Sequence, residues 1–515
     1  MARSPLFAKV RTLLRAAAPA SLQSAPRRHF LQSAFLGAGA LALASCATTP
    51  DKKKAAPRPQ PKIAIVGAGI AGLNCAWQLS KQNIQATVFE AGNRVGGRMF
   101  SKTGILGTGL YTELGGEFID TGHTDLLNLC KDLKLDLLDM HDDTGMVENA
   151  WFFGGVQHKD SEIFEALKPL AARIASDAEL TELDPAAARQ SGAFKALDET
   201  SLRDYLDVIG ASGWLRSLLE VAFVTEYGLD PADQSCMNML CLLATEPAQR
   251  FEPFGESAER FKVKGGNDQL CTELARRLGD SVLLEHRLVR LAGGKPFGLT
   301  FDTPTGGREQ QFDVVVLALP FTILRELDLK VTLPPEKSRA IAELGYGKNA
   351  KLLLGMDSRP WRVAGYAGGV LTDAPFQLAW DNSRLQWGSG VNPVLGPAGI
   401  TLYSGGSLCD MLNLGTPAQQ IDRLLPRLDA AFAGAQRAHN GKSMRMHWPT
   451  QPAVMASYAA YKPGQWTRIR GHEGEPVGDL LFAGEHCSLE SQGYMNGGAE
   501  TGRIAAEQVL AKLPK

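Results

Sequence analysis

A glycine-rich turn between two apolar strands constrains this 515-residue chain more than any other feature. Residues 62–66 form a short β-type run, and Gly67-Ala68-Gly69-Ile70-Ala71-Gly72 follows it directly. Apolar residues then recur at helical spacing, and a second strand over 85–90 ends in a carboxylate, Glu90. Strand, glycine turn, helix, strand and acid in this order are typical of a dinucleotide-binding unit. We therefore predict a Rossmann-like α/β fold.

Each position of the turn has its own physical task. Gly67 permits the tight turn, Gly69 lets the backbone approach a pyrophosphate, and Gly72 lets the helix pack on the strand. The N–H groups at the start of the helix, around Ile70 and Ala71, are expected to face the phosphates. The turn therefore predicts a phosphate-binding helix start.

The residues after the second strand extend this pattern. Glu90 lies 18 residues past Gly72, and its carboxylate is expected to accept hydrogen bonds from ribose hydroxyls. It opens the run Glu90-Ala91-Gly92-Asn93-Arg94-Val95-Gly96-Gly97-Arg98. The forked donors of Arg98 can neutralise pyrophosphate charge.

This run resembles the ExxxRxGGR element of the flavin-containing amine oxidase family. The resemblance implies FAD, held by residues that include Glu90, Ala91, Arg94, Gly97 and Arg98.

Further segments match the same family over residues 62–511. Glu113-Leu114-Gly115-Gly116-Glu117 resembles the loop beside the flavin ring, which implies contacts from Gly115 and Gly116. Val289 matches the residue whose backbone contacts adenine. The closing signature implies cofactor contacts from four residues, Gly484, Glu485, Gly493 and Met495. The helix predicted for 501–510, fed by Gly493–Gly498, is expected to stabilise negative charge on the reduced flavin.

These segments imply a discontinuous FAD-binding domain with a mixed α+β substrate-binding domain of the amine oxidase type. The predicted order is export signal 1–45, tether 46–61, FAD-binding part 62–125, helical substrate part 126–255, FAD-binding part 256–330, substrate domain 331–465 and FAD-binding part 466–515. Helical stretches at 125–133, 161–180, 212–227 and 417–433 are assigned to the substrate domain. Trp151–Val156 is predicted to be a hairpin.

Three residues are the candidates for the catalytic site. Tyr458 and Tyr494 match the family's aromatic cage in front of the flavin, although two packed core tyrosines are the alternative. Lys351 precedes an apolar strand and matches the lysine that bonds through water to flavin N5; a surface lysine is the alternative. Ser457 stands where covalent-flavin members have Cys, so FAD is expected to be bound noncovalently.

The resemblance implies oxidation of an amine C–N bond by hydride transfer to flavin N5. Monoamines, polyamines and amino acids are candidate substrates, and O₂, a quinone or a cytochrome is the acceptor. No Arg can be assigned to a substrate carboxylate, which favours amines over L-amino acids. An FAD-dependent C–C desaturase or protoporphyrinogen-type oxidase, and a tethered flavin electron-transfer or binding protein, remain alternatives.

The amino terminus has the pattern of a bacterial export signal. Residues 1–45 hold six basic and no acidic residues, and Arg27-Arg28 followed by a short apolar run resembles a twin-arginine signal. Leu43-Ala44-Ser45-Cys46 resembles a lipobox, in which Cys46 is acylated; simple cleavage is the alternative. The expected location is the periplasmic face of a membrane, with Ala47 favouring the outer membrane, or the soluble periplasm.

Charge and cysteine spacing exclude other classes. Without residues 1–45 the chain has 48 basic and 55 acidic residues, and this acidic body argues against nucleic acid as a partner. The eight Cys show no CxxC or Cys/His spacing, so no metal site is predicted. The oligomeric state is left open.

Overall fold

The structure is a computed structural model. It describes residues 61–244, 259–387 and 392–513. The predicted export signal, Cys46 and the tether up to residue 60 lie outside the described residues. Within the described residues, no helix combines the length and apolar character needed to cross a bilayer.

The strands are grouped in three larger sheets and two short ribbons. In chain order they are β1 (Ile63–Val66), β2 (Thr87–Phe89), β3 (Ser101–Thr103), β4 (Tyr111–Glu113), β5 (Leu137–Asp139), β6 (Val147–Phe153), β7 (Val156–His158), β8 (Phe261–Val263), β9 (Val282–Leu283), β10 (Arg287–Gly293), β11 (Phe297–Asp302), β12 (Arg308–Phe312), β13 (Val314–Leu317), β14 (Asp328–Lys330), β15 (Asn349–Ser358), β16 (Tyr366–Thr372), β17 (Leu378–Asp381), β18 (Leu395–Gly405), β19 (His439–His447) and β20 (Leu480–Phe482).

The α-helices of the described residues alternate with these strands. They are α1 (Ile70–Ser80), α2 (Thr124–Leu133), α3 (Asp160–Ala178), α4 (Pro185–Gln190), α5 (Gly192–Glu199), α6 (Leu202–Val208), α7 (Gly213–Tyr227), α8 (Met237–Ala244), α9 (Gln269–Leu278), α10 (Phe321–Leu324), α11 (Pro335–Glu343), α12 (Pro360–Val363), α13 (Ser407–Leu412), α14 (Pro417–Ala431), α15 (Ala435–Ala438), α16 (Gln465–Arg468) and α17 (Met495–Lys512).

A five-stranded parallel sheet forms the nucleotide layer. Its strand order is β20-β13-β1-β2-β9, so strands from three distant parts of the chain lie side by side. Strand β1 is fully buried at the centre, as expected for a parallel sheet covered on both faces. The predicted discontinuous Rossmann-like α/β architecture is confirmed.

Helix α2 belongs to this layer, and its assignment to the substrate domain was wrong. Its apolar stripe, which includes Leu126 and Leu129, packs in one cluster with α1, α9 and α17. The Arg503 guanidinium also pairs with Asp125 at 2.7 Å. The stripe was readable from the sequence, but its partner helix begins some 370 residues later, so spacing alone could not identify the layer.

Helix α17 begins earlier than predicted, at Met495 rather than Thr501. The glycines that suggested a loop allow the helix to lie against its neighbours. A Cβ on Gly502 would stand 2.2 Å from the Ala71 carbonyl oxygen of α1, and one on Gly498 would stand 2.8 Å from Ile70. Glycine therefore serves here for close helix packing rather than for a turn.

A seven-stranded mixed sheet forms the second layer, in the order β19-β15-β18-β17-β16-β6-β7. Strands β6 and β7 form the predicted hairpin, with a turn at Gly154-Gly155. Buried residues of β15 and β18, such as Leu352 and Ile400, pack against α13 and α14. The predicted helix over 417–433 is confirmed as α14, which begins with a capping box at Thr416.

We expect Gly502→Ala to destabilise the protein. The added methyl group would collide with the α1 backbone, and overpacking of this kind costs about 1–3 kcal/mol. The thermal unfolding midpoint should therefore fall. Gly192→Ala is the matched control, because a Cβ there meets nothing within 4 Å. Equal midpoints for the two variants would contradict the close contact between α1 and α17.

Candidate active site

One cavity of about 870 Å³ lies between the nucleotide layer and the seven-stranded sheet. It opens at the carboxyl ends of β1 and β2, where ligands bind in folds of this type. Every cofactor and catalytic residue predicted from the sequence lines it, with the exception of Gly72. These residues are Gly67, Gly69, Ile70, Ala71, Glu90, Ala91, Arg94, Gly97, Arg98, Gly115, Gly116, Val289, Lys351, Tyr458, Gly484, Glu485, Gly493, Tyr494 and Met495.

The glycines of the turn have different surroundings. A Cβ on Gly72 would stand 2.0 Å from the Gly67 carbonyl oxygen, so Gly72 lies under the turn and not in the cavity. Gly67 has a φ of +105°, and a Cβ there would approach the Ala318 oxygen to 2.5 Å. A Cβ on Gly69 would meet nothing within 4 Å, because this residue faces the open cavity. Gly69 is therefore the position at which a ligand can touch the backbone.

Two helix starts face the same cavity. Helix α1 begins at Ile70 and α17 begins at Met495, and among the described residues no side chain caps either start. The N–H groups of a first helical turn lack partners within the helix, and they attract negative charge. A pyrophosphate at α1 and an electron-rich ring at α17 fit this arrangement.

Glu90 supports the turn from the other side. Its carboxylate accepts hydrogen bonds from Ala68 N at 2.9 Å and Gly92 N at 2.8 Å. The same carboxylate lines the cavity, so the ribose contact predicted for it stays a prediction.

The two arginines of the ExxxRxGGR element have different partners. Arg94 donates to the carbonyl oxygens of Val95 and Gly97, and thereby fixes the loop. Arg98 donates to Glu485 Oε1 at 2.7 Å and to the Ser457 carbonyl at 2.9 Å. In this structure Glu485 balances the Arg98 charge. The predicted neutralisation of pyrophosphate by Arg98 stays a prediction.

The two predicted cage tyrosines are anchored on neighbouring residues of α7. Tyr458 Oη donates to the Thr225 carbonyl at 3.1 Å, and Tyr494 Oη donates to Glu226 Oε1 at 3.4 Å. Both side chains line the cavity and are only half-buried. The anchors orient both rings from one helix end, and the sequence held no signal for that role of α7.

Lys351 is buried and its ammonium group has three acceptors. Nζ donates to the carbonyl oxygens of Glu113 at 3.1 Å and Gly115 at 2.9 Å, and to Glu117 Oε2 at 2.8 Å. An ammonium group has three donors. The predicted bond through water to flavin N5 stays a prediction, and it requires one of these three bonds to open. The alternative of a surface lysine is excluded by burial.

Sequence reasoning missed several residues that line the cavity. They are Glu117, Asp120, Trp380 and Tyr403. Tyr403 and Trp380 lie on β18 and β17, in the part of the chain where the family resemblance is weak. Glu117 follows the matched glycines directly and Asp120 lies four residues after Gly116. Their acidic character was the signal that could have identified them.

Cys409, Asp410 and His447 bring three donor atoms within 4.8 Å of one another, away from the cavity lining. Burial raises the pKa of the Cys409 thiol, and Lys348 already pairs with Asp410 at 2.8 Å. Both facts disfavour a metal there, and we assign none.

Comparison with known proteins agrees with this geometry. The family model described as flavin containing amine oxidoreductase matches residues 70–510. The chain belongs to this family. It is an FAD-dependent amine oxidase or dehydrogenase, and the cavity that joins two helix starts is where the residues present fit FAD.

Several relatives cover nearly the whole chain. AofH of Mycobacterium tuberculosis, named as a flavin-containing monoamine oxidase, is 28% identical over 462 residues, which is 88% of this chain and 97% of AofH. A protein of Synechocystis named L-amino acid dehydrogenase is 26% identical over 466 residues, 87% of this chain and 94% of its own length. The structure of cyclohexylamine oxidase from Brevibacterium oxydans has the same fold, with a TM-score of 0.75 at 23% identity, and covers 89% of this chain and 100% of that one.

We expect Gly69→Ala to weaken FAD binding without lowering the stability of the apoprotein. The methyl group would meet no protein atom, but it would occupy the space where the cofactor approaches the backbone. The dissociation constant for FAD should rise at least about tenfold, or about 1.4 kcal/mol, in fluorescence titrations.

Gly67→Ala is the comparison variant, and it should lower both FAD affinity and apoprotein stability, because its Cβ clashes with the protein itself. Unchanged FAD affinity in Gly69→Ala would show that the cofactor does not approach this residue.

Proposed function

We propose that this protein is an exported enzyme that oxidises the C–N bond of an amine rather than that of an amino acid. The observation that carries the proposal is the pair of anchored tyrosines, Tyr458 and Tyr494, in the same cavity as the start of α17. Two rings at this point can hold an amine carbon next to the cofactor and keep water away from it.

The chain's own residues prepare the amine for oxidation. FAD supplies the chemistry, because when bound it accepts a hydride equivalent from the carbon next to nitrogen. The amine must be neutral for this step, and an enclosed aromatic site disfavours the ammonium form. The product is an imine, which water converts to a carbonyl compound and an amine or ammonia.

The charged side chains of the cavity favour an amine over an amino acid. The arginines that line it in the described residues are Arg94, Arg98 and Arg287. The first donates to backbone carbonyls, the second pairs with Glu485, and the third pairs with Asp302 at 2.6 Å. The acidic side chain of Asp120 lines the cavity as well. A substrate carboxylate would therefore meet negative charge, although the Synechocystis relative keeps L-amino acids as the second candidate substrate class.

We propose that FAD is bound noncovalently. The candidate electron acceptors are O₂, a quinone and a cytochrome. Ser457 lines the cavity at the position where covalent members of the family have Cys, and its Oγ donates to Asn349 Oδ1 at 2.6 Å. A serine hydroxyl in this place offers no thiolate for attachment.

We propose export by the twin-arginine route and lipid attachment at Cys46. The support is the Arg27-Arg28 pair, the short apolar run and the lipobox. Noncovalent FAD adds an independent argument, because a protein that acquires its cofactor in the cytoplasm must cross the membrane folded.

Anaerobic mixing with substrate tests the proposed reaction. Monoamines, diamines and polyamines should bleach the oxidised flavin absorbance, whereas L-amino acids should do so at least about tenfold more slowly. Admission of air, a quinone or a cytochrome to the reduced protein then identifies the acceptor. Faster bleaching with L-amino acids would overturn the proposed substrate class.

A variant of the cage separates substrate orientation from folding. Tyr494→Ala should slow flavin reduction by about 10–100-fold through lost positioning, while Tyr494→Phe retains the ring and most of the rate. Tyr366→Ala, which removes a tyrosine ring outside the cavity lining, is the control. Unchanged reduction in Tyr494→Ala would exclude Tyr494 as a wall of the substrate site.

Fractionation of bacteria that express the full chain tests the proposed location. The unaltered protein should be found with the membrane and be released by detergent, and Cys46→Ser should be soluble in the periplasm. The double variant Arg27→Lys, Arg28→Lys should remain in the cytoplasm. Cytoplasmic flavoprotein in all three cases would refute export.

A further inference from the structure

A buried carboxylate bridges two buried lysines beside the cavity. Glu117 Oε1 accepts from Lys262 Nζ at 2.9 Å, and Glu117 Oε2 accepts from Lys351 Nζ at 2.8 Å. Each of the three side chains is at most 6% exposed. Lys262 lies on β8 and Lys351 on β15, so the bridge joins an FAD-binding segment to the substrate sheet.

The bridge leaves each group little freedom to move. Lys262 Nζ also donates to the Asn382 carbonyl at 2.9 Å, and Lys351 uses its three donors on the loop 113–117. Burial alone would raise the pKa of Glu117, but the two ammonium groups together lower it. Glu117 is therefore ionised and holds both cations in place.

The bridge lies against the part of the cavity assigned to the flavin ring. Gly115, Gly116, Glu117 and Lys351 all line the cavity. A Cβ on Gly116 would stand 2.6 Å from Met495, the first residue of α17. Lys351 and the start of α17 thus border one region of the site, and Lys262 is connected to that region through Glu117.

Two further carboxyl groups, those of Glu113 and Glu259, interact electrostatically with the bridge. Glu113 is fully buried and accepts from Asn267 N at 2.9 Å and Ser101 Oγ at 2.6 Å. Burial raises its pKa to about 7. Burial and neighbouring carboxylates hold the pKa of Glu259 well above its usual range. Within the bridge itself, two lysine side chains share the single carboxylate of Glu117.

We propose that Lys262 is a positioning residue for the flavin site, which holds the Lys351 ammonium on the glycine loop through Glu117 and supplies a surplus positive charge there. This charge is buried, so salt and water screen it little. Positive charge near the ring favours the reduced cofactor, whose negative charge is larger. The inference deepens the proposed function, but it depends only on FAD binding and not on the identity of the amine.

Reductive titration of the FAD-loaded full chain against a reference dye tests the proposal without an amine. Lys262→Met removes one buried charge and retains an apolar chain of similar length. The two-electron equilibrium should shift at least about tenfold towards oxidised flavin, which corresponds to about 30 mV. Lys337→Met is the matched control, because Lys337 is also buried but lies outside the cavity lining. Its Nζ donates a hydrogen bond to the Glu473 carbonyl oxygen.

A charge-compensating variant distinguishes the electrostatic role from a structural one. Lys262→Met with Glu117→Gln removes one charge of each sign, so the potential should return towards that of the unaltered protein. Flavin content and thermal midpoint are measured for each variant to establish folding. An unchanged potential in folded, FAD-loaded Lys262→Met would overturn the proposal, as would a double variant with a lower potential than the single one. Failure of every amine to reduce the flavin would refute the proposed function and leave this result intact.

Discussion

The buried carboxylate of Glu485 connects the parts of the site that lie farthest apart in the chain. It pairs with Arg98 at 2.7 Å and accepts from the backbone N–H groups of Ala459 and Gly493. These three partners belong to the ExxxRxGGR loop, the segment after Tyr458 and the approach to α17. A buried charge of this kind is tolerated only when it is fully paired. One side chain therefore sets the relative position of the ExxxRxGGR loop, the segment after Tyr458 and the start of α17.

The charged groups that line the cavity differ from one part of it to another. The part expected to hold the pyrophosphate has the start of α1. The part expected to hold the flavin ring has the start of α17 together with Lys351, which Glu117 connects to Lys262. Acidic side chains then line the region beyond the glycine loop, including Asp120. This order suits a cofactor that is negative at the pyrophosphate and becomes more negative on reduction, next to a substrate that arrives as a cation and reacts as a neutral amine.

The nucleotide layer could be predicted closely because its signals are local. The turn after β1, the helix α1 that follows it and the acid at Glu90 each depend on residues close in sequence, and the structure has them where spacing indicated. The cavity likewise gathers every predicted cofactor residue except Gly72. Helix α2 was misassigned and α17 was predicted too short, because in both cases the deciding contact is with a helix from the other end of the chain.

The sequence by itself determined the residues of the glycine turn, since backbone approach to a phosphate permits few residue types. The cofactor and the reaction class followed from the resemblance of the sequence motifs to the amine oxidase family. Only the tertiary structure decided how the catalytic candidates are held. The hydroxyl groups of Tyr458 and Tyr494 donate hydrogen bonds to adjacent residues of α7, and the three donors of Lys351 are used on a loop more than 230 residues away. The physical reason is that hydrogen bonds and ion pairs are satisfied by whatever groups packing brings within about 3 Å, and no local pattern records which groups those are.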